Sequence, residues 1–412
     1  MSVEKIILFN NKSDCCGCAA CMNVCPKGAI AMTKDEYGFI YPQINRDKCV
    51  ECGLCMRVCS FQNKQESGSV KSSYAAAATD KKLLAGSASG GVFAVAAKKI
   101  LSDGGVVFGC SMETENNELT PRHIMISHLT DLKKLQGSKY VQSFIGDTYQ
   151  QVKQQLQKGV PVLFSGTPCQ IAGLYGYLQN KDYDNLYTMD LICHGVPSAD
   201  IFRDFIRLCE KKCGGKIVDY YFRDKKRGWG NYCQTAVVEY KNGKRKEVTV
   251  SKKSSYCVLF LEAAIFRESC YSCKYTNQHR VGDITIGDFW GIEKHHPEYL
   301  SEDGKLKELE GISCMLVNTE KGKMLLESLD GEVTALASEF KYVADDNGQL
   351  KFPSKVNENR SQVLELYRNK GYAAVDKWHN KRLGVKRYIY TLWDGLPLGL
   401  KSKLKRILKN KK

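Results

Sequence analysis

The stretch Cys15-Cys16-Gly17-Cys18-Ala19-Ala20-Cys21-Met22-Asn23-Val24-Cys25-Pro26 sets thiols at a spacing that returns 34 residues later as Cys49-x2-Cys52-x2-Cys55-x3-Cys59. Three cysteines on a tight loop wrap three corners of one 4Fe-4S cubane, and the fourth, at the start of a helix, reaches the other cube. The spacing therefore predicts one cluster on Cys15, Cys18, Cys21 and Cys59 and a second on Cys49, Cys52, Cys55 and Cys25. Zinc also takes paired C-x-x-C motifs, but it needs only four ligands and leaves the third cysteine of each run unexplained. Ser60 stands where the first run has Pro26; that proline shapes the exit turn and ligates nothing.

A bacterial-type two-cluster ferredoxin domain needs only about 60 residues, and this chain has 412. The remainder is long enough for further domains with a real hydrophobic core. The expected class is α/β (α+β): a ferredoxin fold at 1–63, a two-part mixed α/β body at 72–155 and 156–330, and a helical tail at 331–412. Gln62 to Ser73 is polar, with glycine and serine, and reads as a linker. The 43% hydrophobic and 26% charged fractions are those of an ordinary soluble protein. The opening residues lack a signal-peptide pattern, and the most apolar window, Val160 to Leu178, is interrupted by Pro161, Ser165, Pro168 and Gln170. With 19 cysteines and no export signal the expected compartment is reducing, and the expected location is the cytoplasm.

The net charge of +16 is concentrated at the end. Residues 381–412 hold eleven Lys or Arg against one acid, Asp394, which leaves +6 for everything before them. Each oxidised cubane with four thiolates adds roughly −2, so the loaded body is close to neutral and no nucleic-acid partner is expected. In the tail, Leu400, Leu404, Ile407 and Leu408 share one helical face behind Tyr388, Tyr390 and Trp393. Two readings stand equal: peripheral docking on the inner face of a membrane or on an acidic partner, and a solvated terminus.

Along the body, Leu84 to Ile100 reads as a small-residue loop feeding an amphipathic helix, with Ser87, Ser89, Gly90 and Gly91 at its first turn, where exposed N–H groups suit a phosphate. Val106 to Gly109 reads as a strand, Gly137 to Ser143 as a polar loop with Lys139 as its one charge, and Thr148 to Lys158 as a helix. Val160 to Phe164 reads as a buried strand. It delivers Thr167 as N-cap and Pro168 as first helical residue, which puts Cys169 in a first turn, where the helix dipole favours thiolate. Tyr187 to Cys193 repeats the device and ends on His194, with Ser198 capping a helix from Ala199 to Lys212. Cys270-x2-Cys273 precedes a strand from Asp283 to Asp288. Cys169, Cys193, Cys270 and Cys273 thus stand at four element boundaries, a set that suits a third 4Fe-4S centre; buried free thiols are the alternative. The other seven cysteines, Cys16 and Cys110 among them, have no such setting. Arg223 to Arg227 before Trp229 offers cations beside an aromatic plane, or simply a solvated basic loop.

SGTPCQIAGL (165–174), DLICHGVPS (190–198), C-x-x-C-x-Y (270–275) and RVGDITIGDFWG (280–291) resemble the signatures of the coenzyme F420 hydrogenase/dehydrogenase beta-subunit family, and Ser87 to Phe93 and Gly137 to Ser143 resemble its N-terminal half. The resemblance covers about residues 72 to 330. It implies an FAD- and 4Fe-4S-dependent oxidoreductase, with FAD contacts at Ser87, Ser89, Gly90 and Gly91 and the third cluster on Cys169, Cys193, Cys270 and Cys273; by their own positions Lys139 reads as a charge for the flavin pyrophosphate or an acidic substrate, and Asp288 as a cofactor contact or a turn residue. A flavin exchanges electrons singly or in pairs, so the implied relay joins an external low-potential one-electron carrier to a small organic substrate. Coenzyme F420 enters as substrate through the family name alone. His194, Lys139 and Arg280 are the candidate catalytic residues, with a hydrogen-bonded structural histidine as the other reading of His194. The second reading is a non-catalytic electron-transfer subunit serving a partner oxidoreductase.

Overall fold

The computed structural model describes residues 6–63, 68–230, 234–251 and 253–386. The amphipathic stretch Leu400 to Lys409 lies outside the described residues. Among those described, no helix is long and apolar enough to cross a membrane.

In the cysteine-rich segment, two short helices, Ala20–Val24 and Leu54–Arg57, each start from a left-handed residue, Ala19 (φ 62) and Gly53 (φ 72). Such a residue turns the chain sharply, so each loop folds back over its own helix. An antiparallel hairpin, Ile30–Lys34 with Ile40–Ile44, connects the two halves in the register Ile30 to Ile44. A small core of Ile6, Leu8, Ile30 and Cys55 sits between them.

The body is built on one eight-stranded sheet. Its strands in chain order are β1 (Ser72–Ala78), β2 (Val106–Glu115), β3 (Glu118–Ile126), β4 (Val162–Gly166), β5 (Leu186–Leu191), β6 (Ile284–Asp288), β7 (Ser313–Val317) and β8 (Val333–Ser338). Their spatial order is β8-β1-β7-β6-β5-β4-β2-β3. The central four, β2, β4, β5 and β6, run parallel. The flanks are antiparallel. Val162, Leu163 and Phe164 are fully buried, as a strand covered on both faces requires.

The fold corrects three expectations. Residues 72–155 and 156–330 do not form separate sheets: β1 lies between β8 and β7, on the far side of the sheet from β2 and β3. The tail drawn from residue 331 begins inside the body, because Val333–Ser338 pairs antiparallel with Ser73 to Ala78. The strand drawn at Val106 to Gly109 runs on to Glu115, since Asn116 and Asn117 both take positive φ (49 and 65) and turn it into a hairpin with β3. Pairing between strands distant in sequence leaves no local pattern, whereas the Asn-Asn turn was present to be read.

A smaller antiparallel sheet (Lys216–Tyr221, Gln234–Glu239, Arg245–Val250) packs on the helix Ala199–Cys213 and on Arg360–Leu383, two helical runs joined across the non-helical Gly371 (φ 71). Phe202, Phe205, Tyr220, Phe222, Tyr256 and Tyr372 form its aromatic core. The cysteine-rich segment is not merely tethered. Cys16, Ala19, Ala20, Val58 and Phe61 share one apolar core with Phe108, Tyr149, Phe164, Ile171 and Leu174 of the body.

One buried carboxylate ties the sheet together. Asp283 accepts from the Thr188 N–H and Oγ1–H, both at 2.8 Å, and from Thr319 Oγ1–H at 2.6 Å, while its own N–H donates to Thr188 Oγ1 at 2.9 Å. It thereby joins β5, the entry to β6 and the cap of the helix Glu320–Glu327. Replacing Asp283 by Ala leaves three buried donors without an acceptor, and should lower stability by about 3 kcal/mol. Denaturant unfolding of the full chain measures this; a change under about 0.5 kcal/mol would show the network to be dispensable.

Candidate functional site

The carboxyl ends of the four parallel strands open into a cavity of about 280 Å3. Open α/β sheets bind ligands at this edge. Gly109 and Cys110 come from β2, Ser165 to Cys169 from the end of β4, Leu191 to Val196 from the end of β5, and Ile286 to Asp288 with Trp290 from β6. Ser87, Ser89, Gly91 and Phe93 close one side, and Gln136 to Ser143 another. Segments far apart in the chain thus converge on a single volume, at the lower end of the size range of small-ligand sites.

The local folding that presents these groups is legible. Thr167 and Gln170 form a capping box at the start of the helix Pro168–Tyr177: the Thr167 N–H donates to Gln170 Oε1 at 3.0 Å. Ser198 Oγ accepts from the Ile201 N–H at 3.3 Å and starts Ala199–Cys213. Gly91, at φ 82, is the N-cap of Val92–Ser102, so that helix starts at the cavity wall, several residues later than Ser87.

The expected cofactor contacts fall out unequally. Ser87 and Ser89 line the cavity, but their hydroxyls donate to backbone carbonyls, Leu83 at 2.7 Å and Ile312 at 2.9 Å. Gly90 does not line it and is corrected to a packing role: a Cβ there would lie 2.1 Å from the Ala76 carbonyl oxygen and 2.6 Å from the Ser313 nitrogen. Lys139 lines the cavity and donates to the Lys134 and Gln136 carbonyls at 3.0 and 2.8 Å. Desolvation lowers its pKa to about 8, so it is cationic near neutral pH. Asp288 reaches the cavity edge, with its carboxylate held by Arg223 at 2.7 Å and by the Trp229 Nε1–H at 2.8 Å.

Arg280 is corrected from catalytic candidate to structural ion pair. It is 2% exposed, does not line the cavity, and donates to Asp190 at 3.0 Å, to the Tyr275 carbonyl at 2.7 Å and to the Leu191 carbonyl at 3.1 Å. The basic loop after Arg223 is corrected too. Lys225 is drawn to the carbonyls of Leu84, Ser89 and Glu310, and Trp229 stacks on Trp290 with centroids 4.7 Å apart. That loop braces the cavity wall from outside. His194 lines the cavity beside Cys193, with its pKa lowered by burial.

Twelve of the cysteines fall into three groups, all free thiols. Cys15 and Cys21 each feel the charges of Cys18 and Cys59. Cys25, Cys49, Cys52 and Cys55 line one small cavity with Ile30, Ile44 and Leu54. Cys193 feels Cys270, Cys169 and Cys273. Burial pushes Cys15 up to about 11, Cys270 to about 12 and Cys273 to about 11, so each of these thiols keeps its proton at neutral pH unless a cation stands beside it. Among the described residues no three His, Cys, Asp or Glu side chains close on one point as the ligands of a single ion do. Thiolates round a cubane each meet a different iron and stand on the walls of a chamber, so the donor sets fit clusters.

Cys16, which its sequence setting passed over, lies between two of the groups. It is buried, lines the cavity and sits in the core against which both Cys18 and Cys169 pack, and its nearness to their thiols raises its own pKa. The Cys169 thiol is depressed, first by Cys16 and then, after the opposing cost of burial, by Thr167, with a smaller share from the backbone N–H at the helix start. His123, also missed, is buried on the cavity wall. Its Nε2–H donates to the Ser165 carbonyl at 3.1 Å, so Nδ1 accepts from Ser143 Oγ–H at 2.8 Å. His123 lies outside every motif, and only the β2–β3 hairpin brings it here.

Two stretches of the chain match known families: residues 160–339 match the C terminus of the coenzyme F420 hydrogenase/dehydrogenase beta subunit, and residues 14–63 match the 4Fe-4S dicluster domain. The comparison with curated proteins finds no match. Among solved structures, a chain of the F420-reducing NiFe hydrogenase complex from Methanosarcina barkeri is 15% identical, with 73% of this chain and 93% of that chain covered and a TM-score of 0.43.

Burial lowers the His123 pKa to about 4, below the ordinary value near 6.5. Its neutral form is the folded form, so its share of stability is present above about pH 6.5 and is lost as the pH falls from there toward 4. Between about pH 7 and about pH 5 this amounts to about 2 kcal/mol. Replacing His123 by Gln should flatten that part of the acid limb in denaturation measurements; an unchanged limb would mean that the imidazole is not held neutral.

Proposed function

We propose, from the match of residues 160–339 to the C terminus of the coenzyme F420 hydrogenase/dehydrogenase beta subunit and of residues 14–63 to the 4Fe-4S dicluster domain, that the chain relays electrons between a low-potential one-electron carrier and a two-electron organic substrate. Its iron–sulfur electron-transfer character comes with those matches; the flavin, the third cluster and the substrate belong to the proposal. One observation carries it. The cavity at the carboxyl edge of the sheet is walled by Cys16 and by Cys169 and Cys193 of the third thiol group, and Cys16 lies in one packed core with Cys169 and with Cys18 of the first group.

In this reading Cys15, Cys18, Cys21 and Cys59 hold one cubane, Cys25, Cys49, Cys52 and Cys55 a second, and Cys169, Cys193, Cys270 and Cys273 a third. FAD would occupy the cavity and supply the exchange of single electrons for pairs. The chain's own residues bind, orient and exclude water. Phe93, Tyr140, Phe260 and Trp290 give the cavity apolar walls against which a flat ring can lie. Lys139, cationic at neutral pH, faces the same space and suits an anionic group of the ligand. Gly109, Gly137, Gly166 and Gly287 leave backbone within reach. Neutral His123 fixes Ser143 and the β4 end without adding charge. Coenzyme F420, the family's namesake, is the first substrate to test.

Anaerobic purification with iron and flavin analysis tests the reading. About twelve iron and one FAD per chain are expected from three cubanes and one flavin; eight iron and no flavin would overturn it. Replacing Lys139 by Met should weaken flavin retention roughly tenfold, the scale of one charge-assisted hydrogen bond. The family's name also supports a relay subunit acting for a partner oxidoreductase. Turnover of a substrate by the purified chain alone, with dithionite as reductant, separates the enzyme from the relay.

A further inference from the structure

Arg267 is the largest fully buried side chain of the described structure, at 1% exposure. Its backbone belongs to the loop of the third thiol group: its N–H donates to the Val196 carbonyl at 2.9 Å, and the Cys270 N–H donates to its own carbonyl at 3.0 Å. Its side chain leaves that loop and enters the cysteine-rich segment. Nε–H donates to the Cys15 carbonyl at 2.9 Å, Nη2–H points at Cys15 Sγ at 3.9 Å, and Nη1–H donates to Gln142 Oε1 at 3.3 Å. The guanidinium lies over the Tyr41 ring, 4.0 Å from its centroid. Room is left by Gly17, where a Cβ would stand 3.0 Å from Nη1.

Two other arginines, also screened from solvent, mark the contrast. Arg223 has Asp288 at 2.7 Å and Arg280 has Asp190 at 3.0 Å. Among the described residues Arg267 makes no carboxylate ion pair; its acceptors are a carbonyl, an amide and a sulfur. A buried guanidinium without a counter-charge is strongly disfavoured, and arginine does not discharge by losing its proton. The negative charge that answers it must come from the thiolate side of Cys15.

We infer that Arg267 is the counter-charge of the cluster held through Cys15 and sets that cluster's reduction potential above its neighbour's. The inference rests on the reading that Cys15, Cys18, Cys21 and Cys59 hold a cubane. Reduction adds one negative charge to a cluster, and a fixed cation at its sulfur, shielded from water and salt, stabilises the reduced form more than the oxidised form. Among the described residues the group of Cys49, Cys52 and Cys55 has no such buried partner: Arg57, which donates to the Cys52 carbonyl at 3.4 Å, is solvent-exposed and screened. Electrons entering at the outer cubane are therefore drawn inward, toward the body and the cavity.

The test uses the full chain, purified anaerobically, as wild type, Arg267→Gln and Arg267→Lys, with iron assay followed by EPR-monitored redox titration. Loss of the dicluster iron from the wild type would sink the cluster reading, and with it the inference, before any potential is measured. In Arg267→Gln one cluster signal should move to lower potential, with about a tenfold rise in its oxidised-to-reduced ratio at fixed potential, equivalent to about 59 mV for one electron. Arg267→Lys keeps the charge and should move it less. A fully loaded Arg267→Gln whose cluster ratios all stay within twofold of wild type overturns the inference. Should Arg267→Gln fail to load, Gln142→Glu sets a carboxylate against the intact guanidinium; the same downward movement supports the assignment, and an unmoved potential overturns it.

Discussion

The rest of the structure depends on the close seating of the cysteine-rich segment against the helix Pro168–Tyr177. A Cβ on Gly173 would stand 2.9 Å from Cys18 Sγ and 2.9 Å from the Tyr149 hydroxyl, so the helix meets the thiol loop with no side chain between them. The apolar core that continues across this contact, from Ala19, Ala20 and Val58 to Phe164 and Ile171, makes the two parts one packed unit. Electron transfer by protein-held cofactors needs short, fixed separations, and a shared core supplies them where a flexible linker would not.

From that contact the internal order follows. The outer thiol group, with Cys52 exposed, faces solvent; the group of Cys15, Cys18, Cys21 and Cys59 lies beneath it; Cys16 and Arg267 bridge to the loops of Cys169, Cys193 and Cys270; and the cavity opens behind them. The parallel strands explain why these loops meet. Each ends at the same edge of the sheet, and the segment after each strand, whether Thr167-Pro168-Cys169, Cys193-His194 or Phe289-Trp290, is delivered to one place.

Much of the candidate site was legible because its signals are local. A capping residue at Thr167 or Ser198 and a proline at the first helical position act within one turn of backbone, and both helices start where those residues stand. The less legible part concerns what a charged side chain does once buried. Arg280 and Asp288 looked like residues facing a cofactor because charge beside a strand end suggests reach; in the fold their charges are consumed by Asp190 and by Arg223 with Trp229. Gly90 looked like a phosphate contact, but the close approach it permits is to strand backbone, which a local reading cannot foresee.

The sequence by itself determined which thiols could act together: eight at cubane spacing, four more at element boundaries, and the order of the motifs that resemble the beta-subunit family. Thiol spacing and helix caps are properties of short segments, so no long-range information is needed to read them. Only the tertiary structure decided that residues 72–155 and 333–338 belong to the same sheet as the motifs, that Cys16 and His123 reach the cavity, and that Arg267 crosses from one thiol loop to another. Those facts depend on which distant strands pair and on which buried charges must find each other, and such pairings are settled by burial and hydrogen bonding across the whole chain.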